Sequence, residues 1–161
     1  MHASSTSGDR GGRWVAAQFV LMLLVLVFAW LPPGWGRAST MLSALGASLA
    51  LVGAILTVWS WRTLDRAATP FPRPRTGGRL IESGPYAFVR HPVYAGGLLF
   101  FAGFALATSP AVFLPVAALA LLWRNKAALE EDWLEERYDG YSEYRDRVRG
   151  AFVPRPSAPA D

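Results

Sequence analysis

The stretch from residue 90 to residue 131 reads RHPVYAGGLLFFAGFALATSPAVFLPVAALALLWRNKAALEE and decides the fold that the sequence predicts. It contains two apolar runs, 93–108 and 111–123, with Ser109 and Pro110 between them. Pro92 suits the first turn of a helix, and a Ser-Pro pair is typical of a break between two helices. We therefore expect a helical hairpin. Because its arms are short for a bilayer, they should tilt or span only partly.

Two further apolar runs precede the hairpin. Residues 14–31 would form a helix of about 27 Å, close to the thickness of a bilayer, and residues 40–61 carry no charge. Gly46, Ala50 and Gly53 put small residues on one stripe of the second run, which permits close helix packing unless the stripe arises by chance. The fold class predicted is an all-α integral membrane protein with about four transmembrane helical segments.

The composition supports this class, with 52% apolar residues against 17% charged ones, and the length suits one domain. We place that domain at residues 14–153, after a small polar leader at 1–13 that reads as disordered and before a loose proline-rich tail at 154–161. No A-x-A-like cleavage site follows residues 14–31, so the run is interpreted as a retained span rather than a signal peptide.

The positions of the sixteen basic residues predict how the chain is oriented in the membrane. Two precede the first span, one lies between the first two spans, six lie in the loop 62–91 and seven follow residue 123. Four crossings put fifteen of them on one side, which the positive-inside rule makes cytoplasmic, together with both termini. From residue 124 to about 149 we expect a cytoplasmic amphipathic helix, with Trp133, Leu134, Tyr138, Tyr141 and Tyr144 at the headgroups. The arginine bias and the compact length suggest a bacterial inner membrane.

The hairpin also predicts a site. Arg90 and His91 lie 20 and 19 residues before Pro110, and Glu130 and Glu131 lie 20 and 21 after it. Two antiparallel helices of equal rise would bring a basic pair beside an acidic pair at the cytoplasmic rim. Ionisable groups there suggest a functional site. The alternatives are an interfacial ion pair, a hydrogen-bonded interface histidine and the solvated start of an acidic helix.

The letters RHPVYAG at 90–96 match the R-H-P-x-Y-x-G signature of the isoprenylcysteine carboxyl methyltransferase and phospholipid N-methyltransferase group. Gly84-Pro85-Tyr86 resembles the lead-in of that family, and Glu130-Glu131 falls where the family has its paired glutamates. Six later residues resemble the closing pattern of the family, namely Leu134, Tyr138, Tyr141, Tyr144, Val148 and Pro154. The likeness covers roughly residues 70–155.

This resemblance implies a membrane methyltransferase that uses S-adenosylmethionine and acts on a lipophilic or membrane-delivered acceptor. The nucleophile of the acceptor is not identified and could be a carboxylate, an amine or a thiol. The cofactor contacts that the resemblance implies are Tyr86, His91, Pro92, Tyr94, Gly96, Glu130 and Glu131. Arg90 would act in catalysis by holding an anionic group, and Glu131 would serve as the nearest base for an amine or thiol.

Two other functions stay open at this point. Sterol reductases that use NADPH carry a related signature, but theirs continues as N-Y-F-G-E, whereas residues 93–97 here read VYAGG. A small non-enzymatic membrane subunit could keep the hairpin as a scaffold. A metal site is not expected, because the chain has no cysteine and only two histidines. Nucleic-acid binding is not expected either, because the arginines flank apolar spans.

Overall fold

The computed structural model describes residues 11–32, 34–36, 39–65 and 79–156. Within these ranges the chain is helical and has no strand, so the all-α prediction is confirmed there. The helices are α1 (Gly12–Phe28), α2 (Ser39–Leu64), α3 (Pro92–Thr108), α4 (Phe113–Arg137) and α5 (Tyr141–Arg147). The leader up to residue 10, residues 66–78 of the loop 62–91 and the tail from residue 157 lie outside the described residues.

Two segments are long and apolar enough to cross a membrane, namely α2 and Pro110–Arg137, whereas α1 and α3 are shorter apolar helices of 17 residues. At a rise of 1.5 Å per residue, the 26 residues of α2 extend about 39 Å. Large apolar side chains on α1 and α2 face outwards, among them Phe19, Leu23, Leu26, Leu51, Val52 and Ile55. An exposed apolar surface of this extent suits lipid rather than water, which indicates an integral membrane protein.

Helices α2 and α3 pack closely along the predicted stripe of small residues. A Cβ added at Gly46 or Gly53 would lie within 3 Å of the α3 backbone, and one added at Gly103 would meet the backbone of Ala50. Ser43 Oγ also donates a hydrogen bond of 2.9 Å to the carbonyl of Ala107. The prediction that small residues allow close approach is thus confirmed, and this packing positions the start of α3.

The turn between α3 and α4 lies where Ser109 and Pro110 predict it. Ser109 Oγ accepts a hydrogen bond from the backbone N–H of Ala111 and caps the short 3-10 turn Pro110–Val112. An apolar cluster joins this turn to α1, α3 and α4, and its buried members are Val25, Ala105, Val112 and Val116. The turn therefore anchors one end of the helix bundle, and the site lies at the other end.

The boundaries of the last helix differ from the expectation. We expected an apolar segment at 111–123 and a separate surface helix from 124, but α4 continues unbroken through Arg124 to Arg137. Residues 124–137 consist mainly of Ala, Leu, Glu, Lys and Arg, which favour helix over any break. The chain leaves the helix only at Tyr138, before Gly140. Glu130 and Glu131 are consequently held on a continuous helix.

The start of α1 and the packing of α5 also differ from the expectation. α1 begins at Gly12 rather than at residue 14, because Gly11 takes a positive φ of 86° that turns the chain into the helix. The expectation that Tyr141 and Tyr144 lie at the headgroups is wrong. They are 1% and 2% exposed and form a small core with Val148. This core docks α5 against α4 beside the site.

Candidate active site

Backbone hydrogen bonds hold the residues before α3 against the end of the chain. The N–H groups of Arg90 and His91 donate to the carbonyls of Gly150 and Ala151, at 2.9 and 2.8 Å. We call residues 148–152 the C-terminal strap. Pro92 occupies the first turn of α3, as its lack of an N–H predicts, and it is buried. The strap and this turn together fix where the two basic side chains begin.

Arg90 joins three parts of the structure. Its Nε and Nη2 donate to the two carboxylate oxygens of Glu131 at 2.9 and 3.2 Å. Its Nη1 donates to the carbonyls of Val148 and Arg149, both at 2.8 Å. A planar guanidinium suits this bidentate and fixed geometry. These contacts all lie within the protein, so they assign Arg90 a structural role, and its role in catalysis stays a prediction.

His91 lies between the paired glutamates and is 7% exposed. Its Nε2 lies 2.9 Å from Glu131 Oε1, and its Nδ1 lies 3.5 Å from Glu130 Oε2. Burial disfavours the charged imidazole, but the hydrogen bonds and negative charges of the two glutamates outweigh it and raise the pKa of His91. A carboxylate faces each ring nitrogen, which is the arrangement that an imidazolium requires.

Glu130 is held by Tyr94, whose hydroxyl donates a hydrogen bond of 2.5 Å to Glu130 Oε1. The Tyr94 ring stacks on His91 and on Trp123, with centroids 5.7 and 5.3 Å apart, and Phe152 of the strap lies beside it at 6.2 Å. Aromatic faces next to carboxylates provide two kinds of attraction for a cation. We call Arg90, His91, Tyr94, Glu130 and Glu131 the charged cluster.

The remaining predicted residues lie around this cluster in different ways. Tyr86 is buried, and its carbonyl accepts a hydrogen bond of 2.8 Å from the Tyr144 hydroxyl. Burial, with smaller contributions from Glu130 and Tyr144, raises the pKa of the Tyr86 phenol, so its hydroxyl stays a donor. Gly96 faces α2, and a Cβ there would meet Thr57 within 3 Å. Helix packing accounts for this glycine, and its contact with a cofactor stays a prediction.

The hydroxyl of Tyr141 was not among the predicted site groups. Tyr141 is 1% exposed, and its hydroxyl has no hydrogen-bond partner among the described residues. Burial is the main cause that raises the pKa of the Tyr141 phenol, with smaller and opposite contributions from Glu131 and Arg90, so its hydroxyl stays protonated. A buried hydroxyl without a partner costs free energy, which a bound polar group would recover. The tyrosine itself was visible in the closing pattern, but its burial was not.

A cavity of about 400 Å³ adjoins the cluster between α1, α2, α3 and α4. Its walls are mainly apolar, with Met22, Val58 and Phe100 among the lining residues. Tyr94 lines the cavity as well, so this ring separates the cavity from Glu130. The volume suits a small organic molecule. The charged cluster and the cavity thus form two adjoining compartments.

The electrostatics favour an organic ligand over a metal ion. The charged cluster holds two carboxylates, one guanidinium and one imidazole, so the acidic side chains are already paired with bases. The described residues contain no group of three or more metal-binding side chains. The Glu130 carboxylate, which meets a base only at 3.5 Å, the aromatic faces and the Tyr141 hydroxyl are groups that suit an organic cation with polar substituents, such as S-adenosylmethionine.

The charged cluster lies in a region of the chain that matches a known family. The family model described as phospholipid methyltransferase matches residues 41–140, which contain α3, α4, all of α2 but its first two residues, and the whole charged cluster. The cobalt-zinc-cadmium resistance protein CzcN of Cupriavidus metallidurans is 33% identical over 116 residues. That alignment covers 71% of this chain and 48% of CzcN, so the chain spans about half the length of this curated relative.

A solved structure shares the fold. The eukaryotic intramembrane Ras methyltransferase ICMT, an isoprenylcysteine carboxyl methyltransferase, superposes with a TM-score of 0.66. The alignment covers 92% of this chain and 54% of the other one, at 18% sequence identity. The helical arrangement described above is therefore similar to that of this solved structure, and the likeness is one of fold.

Proposed function

The chain belongs to the phospholipid methyltransferase family, and from that premise we propose that it transfers a methyl group from S-adenosylmethionine to a lipophilic or membrane-delivered acceptor. The observation that carries the proposal is the pairing of His91 with both Glu130 and Glu131 at the start of α3. A methyltransferase is what the family indicates, whereas the cofactor and the acceptor are the proposal.

The charged cluster would hold the cofactor, which supplies a sulfonium whose carbon–sulfur bond breaks with the electron pair left on sulfur. Glu130, oriented by Tyr94 and His91, would place negative charge near a bound cation. Too strong an attraction would stabilise the bound state over the transition state, because transfer neutralises the cation. We therefore assign the glutamates to binding and alignment, on which a displacement mainly depends.

The contacts of Glu131 bear on the acceptor. Both of its oxygens accept hydrogen bonds from Arg90, and one of them also pairs with His91. A carboxylate held by two cations keeps its negative charge and is a poor base for an amine or a thiol. A carboxylate acceptor needs no base, because its oxygen attacks directly and no proton moves. The pairing thus favours a carboxylate among the three open acceptors.

The membrane arrangement completes the proposal. α1, α2, α3 and the apolar first half of α4 would be the four transmembrane segments of one domain at 14–153, in a bacterial inner membrane. The arginine bias would place the residues before α1, the loop 62–91 and the chain from residue 124 onward, which includes the second half of α4, in the cytoplasm. The cofactor would then enter from water and the acceptor from the bilayer.

Equilibrium binding to the purified full chain in detergent tests the proposal. We expect S-adenosylmethionine and S-adenosylhomocysteine to bind, and NADPH not to bind. The substitution Glu130→Gln should weaken S-adenosylmethionine binding about tenfold, the value of one charge contact, and should weaken S-adenosylhomocysteine, which lacks the sulfonium charge, less. Glu136→Gln, the same change at an exposed position of α4, is the matched control. Binding of NADPH alone would overturn the proposal in favour of a reductase, and binding of neither ligand would favour a non-enzymatic subunit.

A further inference from the structure

The cavity beside the charged cluster contains a buried cation. Lys126 is the only lysine in the sequence, while every other basic residue of the sixteen is an arginine. It lies on α4, lines the cavity and is 1% exposed. A charge is costly in such a buried place, so this lysine points to a function.

Polar contacts hold Lys126 in one orientation. Gln18 of α1 is buried, and its Oε1 accepts hydrogen bonds from Lys126 Nζ at 3.1 Å and from Trp123 Nε1 at 2.9 Å. The ammonium also lies 5.5 Å from the centroid of the Tyr94 ring. Each of these contacts attracts a cation, since an amide oxygen and an aromatic face are both electron-rich. These contacts favour the charged form of Lys126 and orient its ammonium at the cavity wall, against the cost of its burial.

The position of Lys126 relative to the charged cluster is what a two-substrate site requires. Tyr94 touches both compartments, because its ring faces the lysine while its hydroxyl binds Glu130. A molecule in the cavity with its polar end at Lys126 would thus lie one aromatic ring away from the glutamates. The remaining walls, which include Met22, Val58 and Phe101, would enclose its apolar part.

We propose that this cavity binds the methyl acceptor and that Lys126 binds its anionic headgroup, so that the acceptor is an anionic amphiphile. The inference rests on the proposed function, because it identifies the occupant of the second compartment. Lysine suits the position because a compact charge on a flexible stem can follow a small anion, whereas the arginine fork requires a planar partner. Gln18 is a positioning residue that holds the ammonium.

The single lysine makes a direct test possible. With selectively 13C-labelled lysine, the Cε signal of the full chain in maltoside micelles reports on residue 126 alone. We expect decanoate and decyl phosphate to shift this signal saturably, while decanamide and decylamine, with the same tail length, leave it unchanged. Decanoate against decyl phosphate shows whether a carboxylate or a phosphate is preferred. A Cε signal that does not shift with either anion, or that shifts equally with all four amphiphiles, would overturn the proposal.

Substitution provides a second measurement. Lys126→Met, which removes the charge and keeps a long unbranched side chain, should weaken decanoate at least tenfold, as the absence of a charge-assisted hydrogen bond implies. Arg124→Met removes an exposed cation two residues away and should not weaken it. Should the Lys126→Met variant not fold, the lysine signal of the natural chain decides the question alone.

Binding of S-adenosylhomocysteine separates the two hypotheses. If it binds while decanoate leaves the lysine signal unmoved, the anionic acceptor is refuted and the methyltransferase stands. If it does not bind to the natural chain, the proposed function itself has failed.

Discussion

The substitutions Glu131→Gln and Glu130→Gln should differ sharply in their effect on stability, although the residues are adjacent. Glu131 accepts hydrogen bonds of 2.9 and 3.2 Å from Arg90 and lies 2.9 Å from His91 Nε2. An amide in place of the Glu131 carboxylate would turn one acceptor into a donor that faces these cations. Breaking a buried ion pair costs about 3–5 kcal/mol. Since the side chains of Arg90 and Glu131 are 11% and 17% exposed, we expect the free energy of unfolding to fall by about 3 kcal/mol, the lower end of that range.

The closest hydrogen-bond partner of Glu130 is the neutral Tyr94 hydroxyl, so the substitution Glu130→Gln should lower the free energy of unfolding less. The carbonyl oxygen of a glutamine at this position can still accept the Tyr94 hydroxyl, and the interaction with His91 that the substitution removes is a longer one of 3.5 Å. We expect a cost of about 1 kcal/mol, the net value of a typical hydrogen bond. Circular dichroism during titration with sodium dodecyl sulfate in mixed micelles measures both effects, with Glu136→Gln as an exposed control. Equal destabilisation by the two glutamine variants would refute the assignment of Glu131 as the partner that holds Arg90.

Three further outcomes follow from the same contacts. Gly53→Val should separate α2 from α3 and prevent stable folding, since even a Cβ there would lie within 3 Å of the α3 backbone. Gly140→Ala, where the added Cβ would meet nothing within 4 Å, should leave stability unchanged. A valine variant that melts at the same temperature as the natural chain would disprove the close packing. Because the pKa of His91 is raised, its ion pairs stabilise the fold fully below about pH 6.5 and this contribution disappears as the pH rises through the raised pKa. Denaturation at several pH values should therefore show a decline above about pH 6.5 that is absent in His91→Asn, and parallel profiles would contradict the charged imidazole. Tyr94→Phe should lower the affinity for S-adenosylmethionine several-fold, because Glu130 would lose the hydrogen bond that orients its carboxylate. An unchanged dissociation constant in a calorimetric titration would contradict this prediction.

The juxtaposition at the site could be predicted from the sequence because it depends only on helix rise. Equal numbers of residues on either side of Pro110 place Arg90 and His91 opposite Glu130 and Glu131, and the distances of 2.9 Å bear this out. The small-residue stripe on α2 was equally readable. Both features arise within one helix or between neighbours in the chain, where periodicity determines which residues meet.

The rest of the site depends on contacts between distant parts of the chain, which periodicity does not describe. Gln18 meets Lys126 across 108 positions, and the strap carbonyls of Val148 and Arg149 meet Arg90 across 58 and 59. Gly96 resembles a ligand contact in the signature but faces α2, because the crossing of two helices decides which side of α3 is covered. Charge alone did not reveal that α4 continues past residue 124, since a helix can leave the bilayer without ending.

A structure of the full chain with S-adenosylhomocysteine at saturating concentration tests the central claim most directly. We expect the adenosine and homocysteine groups to lie beside Glu130 and Tyr94, at the start of α3 and under the C-terminal strap, with the ligand sulfur directed towards the cavity that contains Lys126. Ligand bound elsewhere, or a charged cluster that makes no contact with it, would contradict the assignment of this site to the cofactor.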